Sequence, residues 1–144
     1  LTLWHYTNMQ NPRWTWGTKY IQLRQDPKAT TPQKVGFRNT PGWAAYTLNG
    51  DLFIKRFAYQ DGASYVDYGC NTETFTNEDM LEIESLGPLV QLGADGGVIE
   101  HVEEWSLFKA DIGKDESDID AKLLPLLKQT EAGNRLLTDK SRGK

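Results

Sequence analysis

The sequence predicts an all-β fold, an antiparallel β-sandwich with a short C-terminal helical segment. Three observations carry this expectation. Seven runs rich in β-branched and aromatic residues are bounded by Gly, Pro, Asn and Asp. Asn49-Gly50-Asp51 sits between two of these runs as a hairpin signal. Strand patterns nowhere alternate with helical ones, which argues against a doubly wound α/β sheet.

In chain order the strands are expected over residues 18–23, 34–38, 43–48, 51–59, 64–76, 80–92 and 98–109. Asn-Gly suits the two-residue turn between the third and fourth, because both residues tolerate positive φ. Ala94-Asp95-Gly96-Gly97 predicts a second hairpin, pairing 80–92 with 98–109. Helical spacing appears only at the end, where Ile119, Leu123, Leu124 and Leu127 recur at turn intervals after Ser117-Asp118-Ile119-Asp120, which has capping-box spacing. Pro125 must kink that helix or begin a second one, since it lacks a backbone donor. Residues 138–144 are polar and expected to fray. The expected organisation is a β-sandwich domain over 1–112 and a helical tail over 113–144, with no internal repeat.

Composition narrows the function classes. The 144 residues carry a formal charge of -4 and one cysteine, Cys70, so neither a general polyanion binder nor an internally disulfide-bonded scaffold is expected. No apolar run reaches the ~18 residues of a membrane span, and residues 1–6 show no leader pattern, which makes the cytosol the expected compartment. The chain opens on Leu1, so it is expected to be a segment of a longer product or a trimmed form of one. Charge divides unevenly, +4 over residues 1–70 and -8 over 71–144, while Trp4, Trp14, Trp16 and Trp43 cluster early. That asymmetry suits self-complementary packing between sheets or between subunits. The alternative, a nucleic-acid patch, is disfavoured because Lys and Arg are scattered singly.

No phosphate loop, CxxC pair, HExxH or GxSxG is present, so no cofactor and no metal is expected. His101-Val102-Glu103 places an imidazole and a carboxylate on one strand face, but no second His-rich strand supplies further ligands. Glu82 and Glu84 share a strand face as well, and adjacent carboxylates raise one another's proton affinity, one route to a general acid or base. The plainer assignment is a solvated strand edge. Glu100, Glu103 and Glu104 extend the acidic density onto the expected partner strand. Trp14 and Trp16 share one face of an extended stretch, with Trp43 and Tyr46 further along, and flat rings suit the C–H faces of a sugar. Core filling is the competing role for these aromatics.

Two stretches carry a family resemblance. One runs from Leu3-Trp4-His5-Tyr6-Thr7 through Asn11-Pro12-Arg13-Trp14-Thr15-Trp16-Gly17 to Tyr20-Ile21-Gln22-Leu23-Arg24-Gln25, and the other is ETFTNEDMLEIESLGPLVQL at 73–92 followed by EHVEEWSLF at 100–108. Together they resemble an uncharacterised bacterial family related to the galactose-mutarotase-like proteins, over residues 1 to about 110. The resemblance implies the C-terminal half of a carbohydrate-binding antiparallel supersandwich. It matches Met80-Leu81-Glu82-Ile83-Glu84-Ser85 to the strand bearing the catalytic glutamate of aldose 1-epimerases, and Trp105-Ser106-Leu107-Phe108 to the end of the last strand. Glu84 is then the candidate general base, taking the proton of the anomeric hydroxyl. Trp14, Trp16, Arg24, Glu82 and His101 are the candidate substrate-binding residues. The histidine acid of those enzymes lies in the earlier half of their fold; the resemblance implies that this chain begins after that half, and neither His5 nor His101 matches the motif.

Two functional expectations follow. The first is a carbohydrate-binding protein, an aldose epimerase-like protein or a remnant of one, with a small-molecule sugar as partner. The second is a non-catalytic, self-associating β module acting as a homodimer, in which a second copy supplies the missing surface.

Overall fold

The Asn49-Gly50 signal makes the turn it predicts. Both residues have positive φ, 52° and 79°, and Leu48 lies opposite Asp51 across the two-residue loop. The computed structural model describes residues 1–131, and its sheets are antiparallel throughout. The strands are β1 (Thr2–Leu3), β2 (Trp14–Trp16), β3 (Ile21–Leu23), β4 (Gln33–Phe37), β5 (Trp43–Leu48), β6 (Asp51–Phe57), β7 (Thr72–Thr76), β8 (Leu81–Ser85) and β9 (Glu103–Lys109). The antiparallel all-β class read from the sequence is therefore observed. The fraying expected over 138–144 lies outside the described residues.

The chain forms two compact units. One comprises Leu1–Thr40 with Asp61–Glu100, and the other Pro41–Gln60 with the chain from His101 onward. The first holds a four-stranded sheet in the order β1-β4-β7-β8 and the β2-β3 ribbon. Trp14 anchors that ribbon: its indole N–H donates to Gln33 Oε1 at 3.0 Å and its ring stacks on Trp16. Arg13 holds the 29–31 loop, donating to the carbonyls of Ala29 and Thr31. Asn71, fully buried, accepts from Asn39 N–H at 2.6 Å and donates to Asn39 C=O at 3.0 Å, so a side-chain amide stands in for a strand pair.

In the second unit β5-β6-β9 form a three-stranded sheet. Leu52, Ile54 and Arg56 share one face of β6, since alternate residues point the same way. Arg56 donates to Thr130 Oγ1 at 2.5 Å and Leu127 C=O at 2.7 Å, which lays the helical segment along this face. The segment consists of α2 (Glu116–Asp118), a π-helical turn (Ile119–Leu123) and α3 (Leu124–Gln129), and it buries Ile119, Leu123 and Leu127. Pro125 has no N–H for the carbonyl four residues back, and its ring would crowd that carbonyl in an α-helix. The wider turn before it, closed by Leu124 N–H to Ile119 C=O, accommodates the proline. No helix among the described residues is long and apolar enough to cross a membrane.

The structure corrects three sequence expectations. The run 80–92 does not pair with 98–109: β8 pairs with β7, β9 pairs with β6, and the Gly-rich turn closes only an isolated bridge between Gly93 and Gly96. Pro88 interrupts the run and cannot donate to a ladder, so the strand stops at Ser85. The run 64–76 is strand only in its second part. Its first part makes the single turn α1 (Val66–Gly69), in which Asp67 (φ 48°) and Tyr68 (φ 62°) are left-handed. Ser117 is not a cap either, because the helix begins at Glu116, and Asp118 Oδ2 instead accepts from Gly113 N–H.

Candidate functional site

The β4-β7-β8 register assembles a polar cluster on one face of the four-stranded sheet. Gly36, Glu73 and Glu84 lie in one cross-strand row, and Lys34, Phe75 and Glu82 in the next, so all six share a face. Lys34 is the centre. Its Nζ sits 2.7 Å from Glu73 Oε2, 3.1 Å from Glu84 Oε1 and 4.8 Å from the centroid of Trp4. Thr7 Oγ1 donates to Lys34 C=O at 2.5 Å, which fixes the segment bearing Trp4 and Tyr6 beside β4.

Glu73 is buried, with its side chain 3 % exposed, and Oε1 has no hydrogen-bond partner among the described residues. Burial pushes its carboxyl above the usual range. The Lys34 ammonium opposes that shift, and the Asp67 and Glu84 carboxyls add to it. Tyr6 is raised too, chiefly by burial, with Lys34 opposing and the Glu84, Glu73 and Glu82 carboxylates reinforcing. Burial pulls the Lys34 ammonium down, but the hydrogen bonds it donates to Glu73 and Glu84, with the charges of those carboxylates, outweigh it and the net direction is up.

Gly36 makes this packing sterically feasible. A Cβ there would lie 2.7 Å from Cys70 Sγ and 3.3 Å from Glu73 Cγ. The bare backbone lets the Cys70 thiol and the Glu73 stem lie against β4. Cys70 is buried, its thiol pushed up by that burial, and Sγ lies 3.3 Å from Thr2 Oγ1.

The sequence-derived candidates divide among three places. Glu82 and Glu84 are neighbours on the cluster face, both half-buried. Trp14 and Trp16 are not beside them: Trp14 bonds Gln33, which points to the face opposite that of Lys34. Trp14 is a core residue at 6 % exposure, and the indole N–H of Trp16 donates to Met9 C=O at 2.8 Å. Arg24 donates to Pro12 C=O at 2.8 Å and lines a shallow groove with Arg13 and Asp26. His101 belongs to the second unit, with Nε2 3.8 Å from Glu103 Oε1. Glu103 and Glu104 also lie in that unit, on β9, so the acidic density does not continue from Glu82 and Glu84 across a shared hairpin. Trp43 and Tyr46 are on β5.

Lys34, Glu73, Tyr6 and Trp4 escaped the sequence reading. The available signal was the Asn77-Glu78-Asp79 turn, where Asn77 Oδ1 accepts from the amides of Asp79 and Met80 and closes the β7-β8 hairpin. Pairing across it places Glu73 opposite Glu84. Among the described residues no group of three or more His, Cys, Asp or Glu is placed to hold a metal ion. Comparison with protein-family models, with curated proteins and with solved structures finds no match.

Proposed function

We propose that this protein binds a carbohydrate on the β4-β7-β8 face, with Glu84 as the ligand-facing carboxylate. The observation that carries the reading is the joint placement of Lys34, Glu82 and Glu84 on one face, with the Trp4 ring 4.8 Å from Lys34 Nζ and Tyr6 on the segment that Thr7 holds beside β4. Sugar hydroxyls both donate and accept, and their C–H faces lie on aromatic rings, so a cation, carboxylates, a phenol and an indole within one patch match them. Glu84 gives one oxygen to Lys34, and the other can accept from a sugar hydroxyl. Resemblance to the aldose-epimerase glutamate strand supports the same residue.

The test is titration of a monosaccharide panel, followed by amide chemical shifts, against the wild-type chain and Glu84→Gln. Saturable binding in the millimolar range is expected, weakened roughly tenfold in the variant by loss of a charge-assisted hydrogen bond. Polarimetry on freshly dissolved aldose with both proteins reads whether Glu84 also acts as a base. Absence of saturable binding at millimolar sugar, or equal binding by both proteins, overturns the reading.

Self-association is the second reading, and its own observation favours it. β9 is an edge strand of its sheet and exposes Trp105 and Leu107 at 69 % and 77 %. Large exposed apolar side chains side by side on a sheet edge are features of an interface.

A further inference from the structure

The β5-β6 turn fixes which amides of β9 point outward. A two-residue hairpin closes on a hydrogen-bonded pair, here Leu48 and Asp51, and such pairs alternate along an antiparallel ladder. Asp51, Phe53, Lys55 and Phe57 therefore turn their backbone groups toward β5, and Leu52, Ile54 and Arg56 turn theirs toward β9. Their partners on β9 are Phe108, Ser106 and Glu104. The backbone groups of Trp105, Leu107 and Lys109 consequently face the outer edge, which no strand among the described residues pairs with.

Resting on the self-association reading, we infer that the partner is a second copy of this chain, joined by antiparallel β9-β9 pairing about a two-fold axis at Ser106. In a two-fold pairing of identical strands, opposed residues must have the same parity, or one would present its backbone groups inward. Among those registers only the one centred on Ser106 overlaps the whole of Glu103–Lys109. The same register sets Trp105 opposite Leu107 of the second copy, and Glu103 opposite Lys109 of the second copy, twice each. Apolar groups meet apolar groups and each acid meets a base. All four residues also share one face of β9, on which the Trp105 ring packs edge-on against Phe53 at 5.7 Å. The pairing joins two three-stranded sheets into one six-stranded sheet and covers both indoles. Registers shifted by two residues set Glu103 opposite Leu107, or Trp105 opposite Lys109, and lose both matches.

The experiment is light scattering on the full chain from about 1 to 100 μM, with Trp emission recorded on the same samples. The wild-type chain is expected to be a dimer whose emission shifts to longer wavelength on dilution. Leu107→Pro removes an outward amide that β6 does not use, so its far-UV circular dichroism should match wild type while the dimer is lost. Lys109→Glu puts like charges at both ends and should weaken dimerisation on the order of tenfold at low salt, less at high salt. A wild-type chain monomeric throughout overturns self-association altogether. A dimer that survives both substitutions unchanged leaves self-association standing and overturns the β9 pairing.

Discussion

Replacing Lys34 by Met keeps the apolar stem and removes the ammonium, which strands Glu73 in its buried position. Breaking a buried ion pair on one side costs about 3–5 kcal/mol. Lys34 is 17 % exposed, so the lower end applies; the half-exposed Glu84 contact adds at most about 1 kcal/mol, and the Trp4 contact about 0.5–1 kcal/mol. A loss of about 3.5–5 kcal/mol at pH 7 is expected. The pH dependence follows from Glu73. Its folded carboxyl is raised, so the fold favours the protonated form; that stabilisation is fully present below the unfolded value near 4.5 and is lost as pH rises through the folded value. Removing the ammonium raises the folded carboxyl further and carries the loss to higher pH. Urea denaturation at pH 4 and pH 7 should show a penalty that shrinks to about 1 kcal/mol at the lower pH, because Glu73 is then neutral in the variant. Adding Glu73→Gln should recover most of the stability at pH 7. A penalty under about 1 kcal/mol at pH 7, or one unchanged between the two pH values, would refute the buried pairing.

Four further outcomes are expected. Gly36→Ala drives a methyl into Cys70 Sγ and the Glu73 stem and should cost about 1–3 kcal/mol by thermal denaturation, and sugar binding should weaken with it as the cluster shifts. Trp14→Ala should cost about 3–5 kcal/mol as a core truncation, whereas Trp14→Phe, which keeps the ring, should cost much less and leave sugar affinity unchanged. Arg56→Met removes the guanidinium hydrogen bonds to the Leu127 carbonyl and Thr130 Oγ1 that tie the helical segment to β6, so amide exchange over 119–130 should accelerate while the β7-β8 amides stay protected. Cys70 should resist alkylation at neutral pH in the native chain and react only as urea unfolds it, since burial both covers the thiol and raises it.

What the sequence made legible was local. The β5 strand and its turn came out in place because Asn49-Gly50 specifies its own geometry, and the helical segment because Ile119, Leu123 and Leu127 carry its period. Glu82 and Glu84 sharing a face is a consequence of strand parity alone. Pairing between distant segments is not local, and there the reading diverged: a Gly-rich turn outweighed Pro88, although proline cannot serve in a central strand. The cluster was hidden for the same reason. Lys34 reaches Glu73 only because β4 pairs with β7 across the whole intervening β5-β6 hairpin, which joins a different sheet. One residue did mark it. A glycine inside a strand costs stability unless something must approach the backbone closely, and Gly36 is where Cys70 and Glu73 approach. The buried carboxyl, the raised thiol and the bare backbone are therefore one packing solution, and a change at any of them should be felt at the other two.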